Sequence, residues 1–184
     1  MRAGTGMGTA AGPGGNLAAV LEALARCVGT DPVDAADEHE RWGLYARAAG
    51  ADRCSGQLFE AVGLEPDPNV ALGIVLRVMG ELTPAARTEW VAQLSSERDR
   101  AYAARRAAET GILQSGSVAR LLQRERISAG AEDLWSDWLQ LRLAECSGEV
   151  VVLRRLAMKG RTKRIRRLAS RRLRTAEAAG EAGS

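Results

Sequence analysis

Three prolines that each follow a helix-capping side chain constrain this chain more than any other feature of its sequence. Asp31-Pro32, Asp67-Pro68 and Thr83-Pro84 each join an N-cap side chain to the residue favoured at the first position of a helix. Apolar residues then recur every three or four positions, which is the period of an amphipathic helix. The sequence therefore predicts a helix starting at each of these pairs.

The amino-acid composition favours helix over strand. Hydrophobic residues make up 46% of the 184 residues, whereas Phe, Trp and Tyr together make up only 4%. Ala, Leu, Arg and Glu dominate the interior of the chain, and a mix of this kind nearly excludes an all-β sandwich or barrel. We expect an all-α protein with about nine or ten short helices in antiparallel pairs, forming an irregular bundle or a short stack. Leu76 and Trp138 are expected to be buried on core faces.

Glycines and the apolar pattern predict where the folded part begins and ends. Residues 1–15 hold six of the twenty glycines and no apolar periodicity, which predicts a flexible tail. We expect a single helical domain over residues 16–176, with a basic helix pair at its end over residues 148–176. Residues 177–184 are expected to form a second flexible tail.

Positive charge is concentrated near the C-terminal end of the chain. The segment from Arg154 to Arg174 holds eleven basic residues and no acidic one, although the net charge of the whole chain is only +3. The remaining residues therefore carry a balance of −8. Such a separation of charge produces a local positive potential that attracts polyanions or an acidic protein surface.

The basic segment has two faces if it is helical from Arg161 onward. The apolar face consists of Ile165, Leu168, Ala169 and Leu173, and the arginine row consists of Arg164, Arg167, Arg171 and Arg174. Each guanidinium is a planar fork of donors that can bind two phosphate oxygens at once. The segment contains no aromatic residue for stacking on bases, so nucleic acid would be contacted at its backbone and without sequence specificity.

The candidate nucleic-acid-binding residues are therefore basic side chains of this last helix and of the turn before it. They are Arg161, Lys163, Arg164, Arg167, Arg171 and Arg174. Two other readings of the segment stay open. The arginines could bind an acidic protein or an acidic part of the same chain, or they could simply keep a terminal helix solvated. A membrane-surface role is not expected, because the helix lacks Trp or Phe to anchor it.

The last two helical segments resemble a HEAT-type repeat. GEVVVLRRLAMKG reads as an apolar helix, and a short turn separates it from a second helix, TKRIRRLASRRL. The second helix has Ile165-Arg166, then Ala169, then Leu173, a spacing similar to that of the inner helix in this family. The resemblance is best over residues 148–175, and it implies a right-handed stack of helix pairs whose concave face binds an extended partner.

These patterns predict a protein that binds without catalysis. The leading function is association with a nucleic-acid backbone, and the alternative is a helical scaffold or regulator that binds an acidic protein partner. A nucleobase-acting enzyme is the third reading, since Asp137 lies between Trp135 and Trp138 as the resemblance to HEAT-like DNA glycosylases would suggest. The sequence favours core packing over such a site, because Trp138 lies on the packing face and Asp137 is explained by its place near the start of a helix, where a carboxylate stabilises the dipole.

No catalytic residue, metal site or cofactor is predicted. The single histidine, His39, has no Ser or Cys partner in a motif, and the cysteines Cys27, Cys54 and Cys146 form no CxxC pair. This spacing argues against a zinc site and against a disulfide framework. No apolar run approaches the roughly 20 residues of a membrane span, and residues 1–15 lack the apolar core of a signal peptide. We expect a cytoplasmic protein, of bacterial origin to judge from its 24 arginines and two lysines.

Overall fold

The chain is helical over most of the part that the computed structural model describes, namely residues 16–115, 118 and 135–181. Helices account for 77% of this part, which contains nine α-helices and no strand. They are α1 (Leu17–Val28), α2 (Glu38–Ala48), α3 (Ser55–Leu64), α4 (Pro68–Val78), α5 (Pro84–Ala92), α6 (Glu97–Gln114), α7 (Asp137–Cys146), α8 (Val150–Lys159) and α9 (Lys163–Glu181). A short 3-10 helix spans Asp52–Cys54. The all-α prediction is confirmed, while the HEAT-type repeat and the antiparallel pairing stay predictions.

The chain divides into two compact units, residues 1–103 and 104–184, whereas the sequence predicts one domain over residues 16–176. The boundary lies within α6, and a succession of helical patterns does not reveal which helices share a core. The last helix runs to Glu181, so the flexible tail expected over residues 177–184 is helical at its beginning. The tail expected over residues 1–15 lies outside the described residues.

Two of the three predicted helix starts are confirmed. The Asp67 carboxylate accepts a hydrogen bond of 2.7 Å from the backbone N–H of Asn69, and Pro68 follows as the first residue of α4. The backbone N–H groups, that of Asn69 foremost, lower the pKa of Asp67. Thr83 caps α5 in the same way, with Pro84 as the first helical residue. Both starts depend on bonds within a few residues, which is why the sequence predicts them well.

The third predicted start, at Asp31-Pro32, is wrong. Helix α2 begins at Glu38, and Asp37 is its N-cap. Ahead of it, the Glu40 carboxylate accepts a hydrogen bond of 2.7 Å from the backbone N–H of Asp34. Asp37 caps α2 by accepting hydrogen bonds from the backbone N–H groups of His39 and Glu40, at 2.8 and 3.2 Å. Several acidic residues lie ahead of this helix, and the cap is not the one that proline follows.

A buried ion pair ties α2 to the loop between α3 and α4. The Glu65 side chain is fully buried and the Arg41 side chain is 5% exposed. Arg41 donates from Nε and Nη2 to the two carboxylate oxygens at 3.0 and 2.9 Å. Tyr45 donates its hydroxyl to the same carboxylate at 2.8 Å, and the backbone N–H of Asp67 donates at 3.0 Å. Burial and the bond to Glu65 raise the pKa of Tyr45 far above its usual value of 10.

A disulfide joins Cys27, near the end of α1, to Cys54 in the 3-10 helix. The expectation of no disulfide framework is therefore wrong for this pair. The two cysteines are 27 residues apart, and packing of the 3-10 helix against α1 brings them together. Such a contact leaves no local trace in the sequence, because it depends on tertiary structure and not on spacing. Cys146 is free and exposed.

The second unit has its own apolar core, to which α7, α8 and α9 contribute. Its fully buried side chains include Leu139, Leu143, Val152, Leu156 and Ile165. The turn between α8 and α9 is close-packed as well. A Cβ added at Gly160 would lie 2.5 Å from the carbonyl oxygen of Leu156 and 2.7 Å from Cγ2 of Ile165.

The two side chains expected to be buried are only half-buried. Leu76 lies on α4 beside the fully buried Ile74 and Val75. Trp138 packs against the core of the second unit from its edge. The helical period predicted the correct helices, but it did not predict which of neighbouring apolar positions would face inward.

Candidate nucleic-acid interface

Helix α9 presents an apolar face to the core of the second unit and a basic face to solvent. Ile165 and Ala169 are buried, and Leu168 packs against the same core. On the other side, Arg164, Arg167, Arg171 and Arg174 are all exposed. Hydrophobic burial of one face therefore leaves the side of α9 that carries the arginine row exposed to solvent.

The arginine row lines an open groove with a volume of about 940 Å³. The groove is lined by Arg164, Arg166, Arg167, Leu168, Ser170, Arg171 and Arg174 of α9, together with Ala157 of α8 and Glu145 of α7. At a rise of about 1.5 Å per residue, the row is about 15 Å long. That length equals between four and five base steps along one strand of a duplex, at about 3.4 Å per step.

The four guanidinium groups of the row form no hydrogen bond or ion pair within the part of the chain that the structure describes. Four formal positive charges therefore lie along one groove, none of them in an ion pair with a described residue. Exposed arginines usually gain little from isolated surface pairs, so their being unpaired costs the fold almost nothing. It leaves their donors available to an anion.

Among the described residues, the one carboxylate that lines the groove, that of Glu145, is already paired. Arg142 donates from Nη1 to Oε2 of Glu145 at 2.8 Å, and both residues belong to α7. This pairing offsets the negative charge that Glu145 would otherwise bring to the groove. The potential in the groove is therefore dominated by the arginine row.

Other arginines of the basic segment bind the protein itself. Arg154 pairs with Glu177 at 2.9 Å and thereby links α8 to the end of α9. Arg166 donates from Nη1 to the carbonyl oxygen of Gly160 at 2.6 Å, which satisfies the end of α8. Arg172 donates to the carbonyl oxygen of Ser147 at 3.4 Å. These side chains make contacts within the second unit, and they were not among the candidate binding residues predicted from the sequence.

The structure brings together four of the six predicted binding residues. Arg161 does not line the groove, because it contacts the start of α7: its Nη1 lies 3.1 Å from Oδ1 of Asp137 and its Nη2 donates to the carbonyl oxygen of Trp135 at 2.8 Å. Lys163 is exposed but also lies outside the groove lining. Ser170, which does line it, was missed because a hydroxyl among arginines carries no charge signal.

The side chains considered as a nucleobase site are occupied by other groups of the protein. Trp135 is buried, and Asp137 is paired with Arg161. The guanidinium carbon of Arg106 lies 3.7 Å from the ring centroid of Trp138, which places a cation over that indole. His39, for its part, is almost fully exposed on α2 beside acidic neighbours. No catalytic arrangement is assembled from these residues.

The described residues contain neither a metal site nor a membrane-spanning helix. Among the described residues, no three His, Cys, Asp or Glu side chains form a group able to hold a metal ion. In the same part of the chain, no helix has both the length and the apolar character needed to cross a membrane.

No protein-family model matches the sequence, and no significant match exists among the curated proteins or the solved structures.

Proposed function

We propose that the chain binds the phosphate backbone of nucleic acid through the arginine row of α9, without reading its sequence and without catalysis. The observation that carries the proposal is that Arg164, Arg167, Arg171 and Arg174 line one groove and have no partner among the described residues. Planar guanidinium groups match phosphate oxygens, and a row on a rigid helix can meet several phosphates at once.

The chemistry of the groove explains why binding would be independent of sequence. Its lining consists of guanidinium groups, short aliphatic side chains, a serine and a neutralised carboxylate. Phosphates are the same at every base step, and contacts to them supply affinity and register but no base readout. Duplexes of unrelated sequence should therefore bind about equally well.

The test is a salt titration of binding to a fluorescent duplex, followed by anisotropy. Four neutralised phosphates predict that log K falls with log salt with a slope of about −3.6, so affinity drops about a hundredfold between 50 and 200 mM salt. Replacing all four arginines of the row by Gln keeps the helix propensity and should abolish most of the binding. Retained binding by this variant, or no binding by the parent near physiological salt, contradicts the proposal.

A matched control removes the same amount of charge elsewhere. Arg26, Arg47, Arg77 and Arg98 are exposed helical arginines of the first unit, and replacing them by Gln also lowers the net charge by four. This control variant should keep most of the affinity, because none of its four arginines is among the residues that line the groove. Equal losses in both variants would show that net charge alone, and not the groove, causes binding.

A second candidate is a scaffold or regulator that binds an acidic protein. The observation in its favour is that α8 exposes two large apolar side chains, Val151 and Met158, next to the basic segment. Apolar anchors surrounded by charge are typical of protein interfaces. An acidic peptide with apolar residues would then bind more tightly than a duplex. Met158→Ser would weaken binding of the peptide and leave binding of the duplex unchanged.

Two further expectations stay proposals. The HEAT-type resemblance over residues 148–175 is supported by burial of Ile165 and Ala169 at the matching positions of α9. A cytoplasmic location is harder to support, because the Cys27–Cys54 disulfide is of a kind that persists mainly in oxidising compartments. Counting thiols in protein taken directly from cells would test it.

A further inference from the structure

We infer that Arg161, although it belongs to the basic segment, is a positioning residue that sets the orientation of the arginine row and does not itself contact the ligand. This inference rests on the proposed function, because it assigns roles within the same site. It departs from the sequence pattern, which groups Arg161 with the binding residues on account of its charge alone.

Arg161 fixes the turn between α8 and α9 to the start of α7. Its backbone N–H donates to Oε1 of Gln140 at 2.9 Å, and its Nη2 donates to the carbonyl oxygen of Trp135 at 2.8 Å. Gln140 is buried and donates from Nε2 to the same carbonyl oxygen at 3.3 Å. The backbone N–H and the guanidinium of Arg161 are thus both bound to one small region around the start of α7. These contacts fix the direction of the side chain.

The guanidinium of Arg161 also forms an ion pair within the protein. Its Nη1 lies 3.1 Å from Oδ1 of Asp137, the first residue of α7. Both side chains are about half exposed, so the pair contributes little to stability, but it directs one edge of the guanidinium toward Asp137, and Arg161 does not line the groove. Arg164 and Arg167, which follow the turn immediately, have no such partner among the described residues.

Helix α9 starts directly after this turn, and Thr162 caps it by accepting a hydrogen bond of 3.2 Å from the backbone N–H of Ile165. The direction of its first turn therefore depends on where residue 161 is held. If the side-chain contacts of Arg161 are lost, we expect the start of α9 to shift or to sample several positions. The arginine row then moves with it, and all of its phosphate contacts weaken.

The salt dependence of binding separates a contacting arginine from a positioning one. Arg167→Gln removes one phosphate contact and should lower the magnitude of the slope of log K against log salt by about 0.9 on duplex DNA. Arg161→Gln should lower affinity by roughly threefold to tenfold at every salt concentration and leave the slope unchanged. Arg161→Lys keeps the charge but loses the planar fork, and we expect it to bind like Arg161→Gln and not like the parent.

Asp137→Asn gives a test in which the two roles predict opposite signs. The substitution leaves Arg161 in place and removes its ion-pair partner. If Arg161 contacted phosphate, freeing it would tighten binding; if it positions the row, the duplex should bind roughly threefold more weakly. The duplex from the salt titration serves as the probe, and circular dichroism confirms that each variant is folded.

The outcomes distinguish this inference from the proposed function. If the parent does not bind duplex, both are wrong. If the parent binds, but Arg161→Gln lowers the slope as Arg167→Gln does, or Asp137→Asn tightens binding, then Arg161 is a contacting residue and the inference alone is overturned. The inference is supported if Arg161→Gln loses the same fraction of affinity at every salt concentration and Asp137→Asn binds more weakly.

Discussion

Reducing the Cys27–Cys54 disulfide should destabilise the first unit by about 3.5 kcal/mol. The bond closes a loop of 27 residues that contains all of α2. In the chain-entropy treatment, opening a loop of that length returns about 12 cal/mol/K to the unfolded chain, which is about 3.5 kcal/mol at room temperature. This is a large part of the free energy of unfolding of a typical domain.

Urea denaturation of the oxidised and the reduced protein measures this difference. With an m-value of about 1.5 kcal/mol/M, the midpoint of the first unit should fall by about 2 M on reduction. Trp42 and Trp90 lie in the first unit and report its unfolding by fluorescence. The measurement is best made with Cys146→Ser, since Cys146 is exposed and could exchange with the disulfide.

Thiol counting provides the control for this experiment. In the Cys146→Ser background, the oxidised protein should have no reactive thiol under denaturing conditions and the reduced protein should have two. Identical urea midpoints for samples that differ in this way would refute the loop-entropy reasoning. Two thiols in the protein as isolated under air would show that the disulfide does not form.

Three other changes test the packing described above. Glu65→Gln leaves a buried guanidinium without its counter-ion and should cost about 3 to 5 kcal/mol in urea denaturation, whereas the exposed Glu60→Gln should change stability by less than about 0.5 kcal/mol. Gly160→Ala should lower stability by about 1 to 3 kcal/mol because its Cβ meets packed atoms, while Gly148→Ala, with open space around it, should be nearly neutral. The raised pKa of Tyr45 means that the folded state holds the neutral phenol, so its contribution to stability is complete below pH 10 and is lost as the pH rises further. With Tyr102→Phe, which leaves Tyr45 as the single tyrosine, phenolate absorbance should appear only as the first unit unfolds, and phenolate formation by Tyr45 in folded protein near pH 10 would contradict this.

The sequence predicted those features that depend on neighbouring residues. The starts of α4 and α5 follow from a cap and a proline one residue apart, and the two faces of α9 follow from its own period. The start of α2 did not, because several acidic side chains that could cap the helix lie close together there, and Asp37, which no proline follows, is the one that does so.

The sequence did not predict contacts between residues that are far apart along the chain. Cys27 meets Cys54 only because the 3-10 helix packs against α1. In the candidate site, charge identified the helix whose arginines line the groove, but not which contacts each arginine makes. Arg161 was grouped with the binding residues, whereas its position beside Asp137 is set by the packing of α9 against α7.

The buried carboxylate of Glu65 has a consequence for how the first unit selects one packing among many. Its helices are rich in Ala, Leu and Val, and side chains of this kind fit together in several registers with similar burial. Glu65 accepts two bonds from Arg41, one from Tyr45 and one from the backbone of Asp67, and all four donors come together in only one register. Sliding α2 by a turn would remove the Arg41 and Tyr45 donors from a charge in the interior, so mispacked forms of this unit are penalised far more than their apolar contacts alone would require.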